Sequence, residues 1–163
     1  MNATFTTSDG ITPAVRALIK KLDGSGRQKV MEVIGMAMRN WAMEAFTNPA
    51  MRPTPWAAKR DGTASTLQGK SPVLRRSLRV EATASEVTIG TDRAYALIHQ
   101  LGGVIEAKAG GALRFQAGGK WFTAKKVTMP ARPYLPVMPG GAMMPAAAEE
   151  AMEAALGELT EGK

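Results

Sequence analysis

The sequence predicts an α+β fold: two N-terminal helices, a small antiparallel sheet with an embedded helix, and a C-terminal helix. Three observations carry this reading. Apolar residues recur at helical spacing twice before residue 50 and again near the end of the chain. Between residues 80 and 129, short apolar runs are separated by glycine-rich turns. No internal repeat at a solenoid period is present. At 163 residues with a 45% hydrophobic share, the chain has the size of one domain and the material for a core. The expected division is an N-terminal arm over 1–11, a single α+β domain over 12–137 with a long loop at 49–72, and a linker plus C-terminal helix over 138–163.

Each element follows from local chemistry. The first ten residues are small and polar and read as a loose arm. Thr12-Pro13 pairs an N-cap with a first-turn proline, and Val15, Leu18, Ile19 and Leu22 then form one apolar stripe. Asp23-Gly24-Ser25-Gly26 breaks that helix. A second helix is expected from about Arg27 to Phe46, with Val30, Ile34, Met38, Trp41 and Ala45 on one face and Asn48-Pro49 as its stop. Residues 49–72 carry prolines, glycines and charges without an apolar period. A stretch of this kind is often functional or ordered only by a partner.

Ser71-Pro72 restarts order with a short helical turn through Leu74 and Leu78. Val80, Ala82, Val87 and Ile89 predict two short strands joined near Ser85, and Ala94 to Leu101 predicts a helix closed by Gly102-Gly103. Val104 to Met129 reads as a hairpin or meander. Its apolar members are Leu113, Phe115, Trp121, Phe122 and Val127, and its turns are Gly110-Gly111 and Gly118-Gly119. Because Trp121 and Phe122 are adjacent in a strand, only one of them can face inward. The prolines at 130, 133 and 136 exclude regular helix or central strand. Pro145 to Leu159 is alanine- and glutamate-rich and predicts a helix with Ala148, Met152, Ala155, Leu156 and Leu159 inward.

Composition narrows the chemistry. There is no cysteine, so disulfides, thiolate metal sites and cysteine nucleophiles are excluded together, and a reducing compartment is the expected setting. The N-terminus lacks a signal-peptide pattern, and no apolar run reaches the roughly 20 residues of a membrane span. A soluble, intracellular protein with no membrane partner is the expectation. His99 is the single histidine, so a zinc site has no second imidazole. Asp61, Asp92 and Glu106 show no pairing as acid and base. Gly69-Lys70-Ser71 looks like the end of a phosphate loop, but Ala64 stands where the leading glycine belongs. No catalytic residue and no cofactor is expected.

The formal charge is +7 and the pI about 10.0. Arg75, Arg76 and Arg79, with Lys120-Trp121-Phe122 and Lys125-Lys126, keep open an alternative reading as a basic nucleic-acid-binding module. The charge is also polarised. Basic residues crowd 52–79, whereas Glu149, Glu150, Glu153, Glu158 and Glu161 crowd the end, a pattern suited to head-to-tail pairing of copies.

Three linked segments add a resemblance. They are Pro55-Trp56 followed by Leu67-Gln68-Gly69-Lys70-Ser71-Pro72-Val73-Leu74-Arg75-Arg76-Ser77-Leu78; Val87-Thr88-Ile89-Gly90-Thr91-Asp92-Arg93-Ala94-Tyr95-Ala96-Leu97-Ile98-His99-Gln100-Leu101-Gly102-Gly103; and Met129-Pro130-Ala131-Arg132-Pro133-Tyr134-Leu135. In this order and spacing they resemble the Mu-like phage virion-morphogenesis, or tail-completion, family over about half of the chain, Pro55 to Val137. The departures are the glycine-rich turns around Ala109 to Ala112 and the extended link Pro136 to Gly141.

The resemblance implies a structural protein of the phage neck or tail end. It would form a homo-oligomeric ring needed for head–tail joining, as tail terminator, stopper or intermediate neck layer. The implied partners are copies of itself, neighbouring neck and tail proteins, and phage DNA enclosed without sequence-specific binding. The implied location is the virion, with the host cytoplasm during assembly. Trp56, Arg75, Arg76, His99, Gln100, Arg132 and Tyr134 are the candidate interface residues. Tyr95 and Ile98 are expected to pack the helix onto the sheet, while His99 and Gln100 hydrogen-bond a nearby backbone or a neighbouring subunit. Pro130 and Pro133 stiffen a strap that presents Arg132 to a carboxylate or carbonyl, with Tyr134 and Leu135 as its anchor. The alternative is that all of these serve the fold alone.

Overall fold

The computed structural model describes residues 2–6, 17, 19–59, 62, 67, 73–117, 119–135, 137–138, 141–142, 150, 153–154 and 156–157. Its spine is helix α1, Gly24–Glu44. The Asp23 carboxylate caps it by accepting from the Gly26 amide at 2.7 Å. That cap corrects the expected start at Arg27. Gly24-Ser25-Gly26 forms the first helical turn, because an N-cap carboxylate satisfies one of the otherwise unpaired first-turn amides. Ala17 and residues 19–21 are helical, and Ile19 is buried. The Thr12-Pro13 start signal, Val15 and Leu18 lie outside the described residues.

The expected apolar face of α1 forms as read. Val30, Ile34, Met38, Trp41 and Ala45 are all buried, joined by Met31, Ala42 and Phe46. This face lies on a three-stranded antiparallel sheet of β1 (Asn2–Thr6), β2 (Arg79–Ala82) and β3 (Glu86–Gly90), in the order β1-β3-β2. Val87 and Ile89 on the central strand are fully buried against the helix. Helix and sheet meet most closely at Gly35. A Cβ there would lie 2.5 Å from Val80 Cγ1 and 3.0 Å from Val87 Cγ1. Only a residue without a side chain lets the helix lie this near the sheet.

The start of the chain corrects the loose-arm expectation. Asn2 to Thr6 pairs with β3 in the register Asn2↔Gly90 to Thr6↔Glu86. The stretch is polar, but Thr4, Phe5 and Thr6 favour strands, and β3 offers them an open edge.

Helix α2 (Val73–Arg76) is one short turn that buries Leu74. It is tied to α1 by side chains donating to main-chain oxygens: Arg39 Nε to Leu78 O at 2.8 Å and Arg75 Nε to Met43 O at 3.0 Å. Ser77 and Thr91 share a buried hydroxyl pair at 2.6 Å. Helix α3 (Ala96–Leu101) starts two residues later than expected and ends at Gly102, whose φ is 70°.

The sheet reading resolves into two parts. Beyond α3, strands β4 (Gly103–Glu106), β5 (Leu113–Ala117), β6 (Lys120–Ala124) and β7 (Lys126–Met129) nest rather than join the first sheet. β4 pairs with β7 and β5 with β6, which makes one long two-stranded ribbon with Gly119 (φ 77°) at its tip. Ala107 N donates to Lys125 O at 2.8 Å and carries the ladder across the interruption at 107–112. The link after the strap holds a further small pair, β8 (Val137–Met138) with β9 (Gly141–Ala142). Near the end, Glu150, Glu153, Ala154, Leu156 and Gly157 are helical, with Leu156 buried in the core as read. Ala148, Met152, Ala155 and Leu159 lie outside the described residues.

Two glycine substitutions test the helix–sheet contact. Gly35→Ala gains about 1 kcal/mol of helix propensity but meets Val80, and overpacking costs roughly 1–3 kcal/mol. A lower urea midpoint is expected. Gly24→Ala, with nothing within 4 Å of the added atom, is expected to hold or raise it. Equal midpoints for the two variants would contradict the contact.

Candidate functional site

The candidate residues converge on the strap, residues 130–135, where it crosses α3 and the loop after α1. Prolines remove its regular hydrogen bonding, so its main chain needs side-chain partners. Gln100 supplies them. Its Nε2 donates to Leu135 O at 2.8 Å, and its Oε1 accepts from Tyr134 N and Leu135 N, both at 3.0 Å. The amide thus reads the strap like a neighbouring strand, with 1% of its surface exposed. Arg132 N donates to His99 O at 2.7 Å. At Gly102 the strap passes so close that a Cβ would sit 2.7 Å from Ala131 N and 2.9 Å from Met129 O.

The other side of the strap is held by the long loop. Trp56 Nε1 donates to Pro133 O at 2.7 Å, and Arg132 Nε donates to Ala57 O at 3.3 Å. The Phe46 ring bridges Trp56 (5.8 Å, 87°) and Tyr134 (5.1 Å, 44°). The Arg52 guanidinium lies 4.1 Å over the Trp56 ring, while its Nε donates to Ala45 O at 2.9 Å. Residues 52–57 are therefore held by contacts within the chain. Residues 60–72, apart from Gly62 and Leu67, lie outside the described residues.

Four of the seven candidate residues, Trp56, Gln100, Arg132 and Tyr134, are buried and bonded within the chain. The carbonyl expected for Arg132 is Ala57 O, and Tyr134 and Leu135 anchor the strap with no exposed surface. Burial pushes the Tyr134 phenol well above its usual range. Arg75 is half-buried on Met43 O, and Arg76 is exposed. His99 is half-buried, with its Nδ1 buried and unpartnered among the described residues. Burial first, and the Arg132 guanidinium second, hold its pKa below the ordinary histidine value. Tyr95 corrects its expected packing role: it is 43% exposed, and its ring meets the edge of His99 at 5.9 Å.

At the ribbon, the expectation that one of the adjacent aromatics Trp121 and Phe122 faces inward is corrected. Trp121 is 61% exposed and Phe122 43%, so neither faces a core. Alternation places them on opposite faces, and with no layer beneath the ribbon among the described residues both stay in solvent. Phe122 stacks on Phe115 at 6.0 Å on one face, and the Arg114 guanidinium lies 4.8 Å from the Trp121 ring on the other. Near the ribbon's base, Leu97, Leu101, Val104 and Ile105 are also exposed. At the interruption, Glu106, Lys108, Gly110, Gly111, Lys125 and Lys126 line a shallow open depression of about 330 Å³. No group of three metal-ligating side chains occurs among the described residues, and no helix among them is long and apolar enough to cross a membrane.

Two measurements test the strap. Gln100→Ala leaves two amides and one carbonyl buried without partners, at about 1–3 kcal/mol each, so a loss of at least ~3 kcal/mol in unfolding free energy is expected. A loss below ~1 kcal/mol would mean that the amide does not hold the strap. The His99 linkage has a definite sign. Its folded pKa lies below the unfolded value of 6.5, so the neutral ring's contribution is complete above pH 6.5 and is lost as pH falls through the folded pKa. Melting temperature should drop over that window, and His99→Gln should flatten the drop; parallel profiles would contradict the assignment.

No curated protein and no solved structure matches the chain. The family model described as the phage virion morphogenesis family matches residues 7–156, spanning the helix–sheet core, the ribbon and the strap together. The chain belongs to the phage virion morphogenesis family.

Proposed function

We propose that the chain is a structural protein of the phage neck or tail end, and that it forms a ring of identical copies needed for tail completion and head–tail joining. Tail terminator, stopper and intermediate neck layer are the positions this reading admits. It assigns the protein no catalysis and no cofactor. Its location is the virion, and its partners are sibling copies, neighbouring neck and tail proteins, and DNA passing through the ring.

The observation that carries the reading, beside family membership, is the contrast between the two halves of the site. The strap consumes its polar groups inside the chain, whereas the ribbon exposes Trp121, Phe122 and a run of cations. A ring subunit needs two unlike complementary faces, each burying roughly 800 Å² or more per partner in a stable assembly. An exposed ribbon beside a closed core supplies such a face without loosening the fold.

A second reading, a basic nucleic-acid-binding module, draws on the same ribbon. Arg114 over Trp121, flanked by Lys120, is a combination that stacks bases and neutralises phosphates. DNA affinity of the isolated protein falling by several decades per decade of salt would favour it.

Deleting the coding sequence from the phage and imaging the lysate tests the first reading. Filled heads beside separate, unattached tails are expected. Normal virions in the deletion would overturn it.

A further inference from the structure

The ribbon and the C-terminal helix are matched in charge. Residues 103–129 hold five basic side chains (Lys108, Arg114, Lys120, Lys125, Lys126) and one acid, Glu106, a net +4. Residues 145–163 hold five acids (Glu149, Glu150, Glu153, Glu158, Glu161) and one base, Lys163, a net −4. Among the described residues the one ion pair joins Asp92 to its neighbour Arg93, so Arg114, Lys120, Glu150 and Glu153 have no ionic partner there. Lys120 through Thr123 are exposed on the ribbon, and Glu150, Glu153 and Ala154 are exposed on the helix while Leu156 points into the core. Lys120 on one surface and Glu150 and Glu153 on the other are thus exposed, opposite in sign and without an ionic partner among the described residues.

We infer that the basic tip of the ribbon, Lys120-Trp121-Phe122 with Arg114, docks on the acidic face of the C-terminal helix of a second copy. Two different patches of one chain make the contact, so it is heterologous, and repetition builds a ring or filament rather than a two-fold dimer. Like charges keep ribbon from ribbon and helix from helix, which leaves head-to-tail pairing as the favoured mode. Trp121, on the face it shares with Arg114, supplies the apolar centre. At its observed exposure it would cover on the order of 150 Å², about a fifth of what one partner gives to a standard interface. The inference rests on the ring reading for its setting, yet it fails separately: the presence of the protein in purified particles is measured independently of how copies touch.

The test uses two full-length charge variants and native mass spectrometry. Variant one carries Arg114→Glu and Lys120→Glu, and variant two carries Glu150→Lys and Glu153→Lys. The wild type is expected to assemble beyond a dimer, and each variant alone to remain monomeric. Mixing the two variants in equal amounts is expected to restore assembly, because an alternating arrangement sets the acidic ribbon of one against the basic helix of the other and leaves every joint matched. The chain that combines all four substitutions re-matches every joint and is expected to recover the wild-type oligomer. Trp121→Ser is expected to weaken assembly at least tenfold in concentration. A monomeric wild type, variants that assemble like the wild type, or no recovery by the combined chain would overturn the inference. So would variant one losing salt-sensitive DNA binding with its oligomer intact, since nucleic acid would then be the occupant of the ribbon.

Discussion

One side-chain amide organises the middle of this molecule. Gln100 stands at the end of a six-residue helix and makes three hydrogen bonds to a strap that prolines bar from regular pairing. Without those bonds, two amides and a carbonyl of the strap would be buried unsatisfied. With them, Pro133 O is presented to Trp56, Tyr134 is driven against Phe46, and the loop after α1 closes over the core. Gly102 belongs to the same arrangement, because any Cβ there would strike the strap backbone. The Tyr-Ala-x-Ile-His-Gln-x-Gly and Pro-Ala-Arg-Pro-Tyr-Leu strings are therefore two halves of a single contact, Gln100 and Gly102 on one side and residues 131–135 on the other.

That contact separates the surface from the interior. The residues most distinctive in sequence are the ones the chain consumes for itself, while the residues left in solvent form a ribbon with aromatics on both faces. A protein that must present a fixed shape to neighbours gains from this separation. In the proposed assembly the scaffold would stay the same when the ribbon is engaged, and the cost of binding would fall on a short two-stranded element rather than on the core.

Much of the fold was legible in the sequence because it rests on periodicity. The face of α1 from Val30 to Ala45 follows the 3.6-residue repeat, and Val87 and Ile89 follow the two-residue repeat of a half-buried strand. Apart from the start of α1, which the local Asp23 cap moved, the failures below depended on a partner or a layer distant in sequence. Asn2 to Thr6 is a strand because β3, over 80 residues away, offers an edge. Trp56 is ordered because Pro133, 77 positions on, accepts its proton. Gln100 gave no local hint of whether its amide would face its own chain or another. Trp121 and Phe122 carried a readable signal, since adjacent aromatics in a strand cannot share a face, but whether a layer lay beneath either face is decided by topology alone.

A strap locked by side-chain bonds stands beside an exposed ribbon, and amide hydrogen exchange measures both at once. In the free protein the Tyr134 and Leu135 amides should be protected close to the level of global unfolding, while those of Leu113 to Ala124 exchange far faster. In the assembled oligomer the ribbon amides should slow markedly and the strap amides should keep their rates. A ribbon that exchanges equally in the free and assembled states, or a strap that gains its protection only on assembly, would contradict the account.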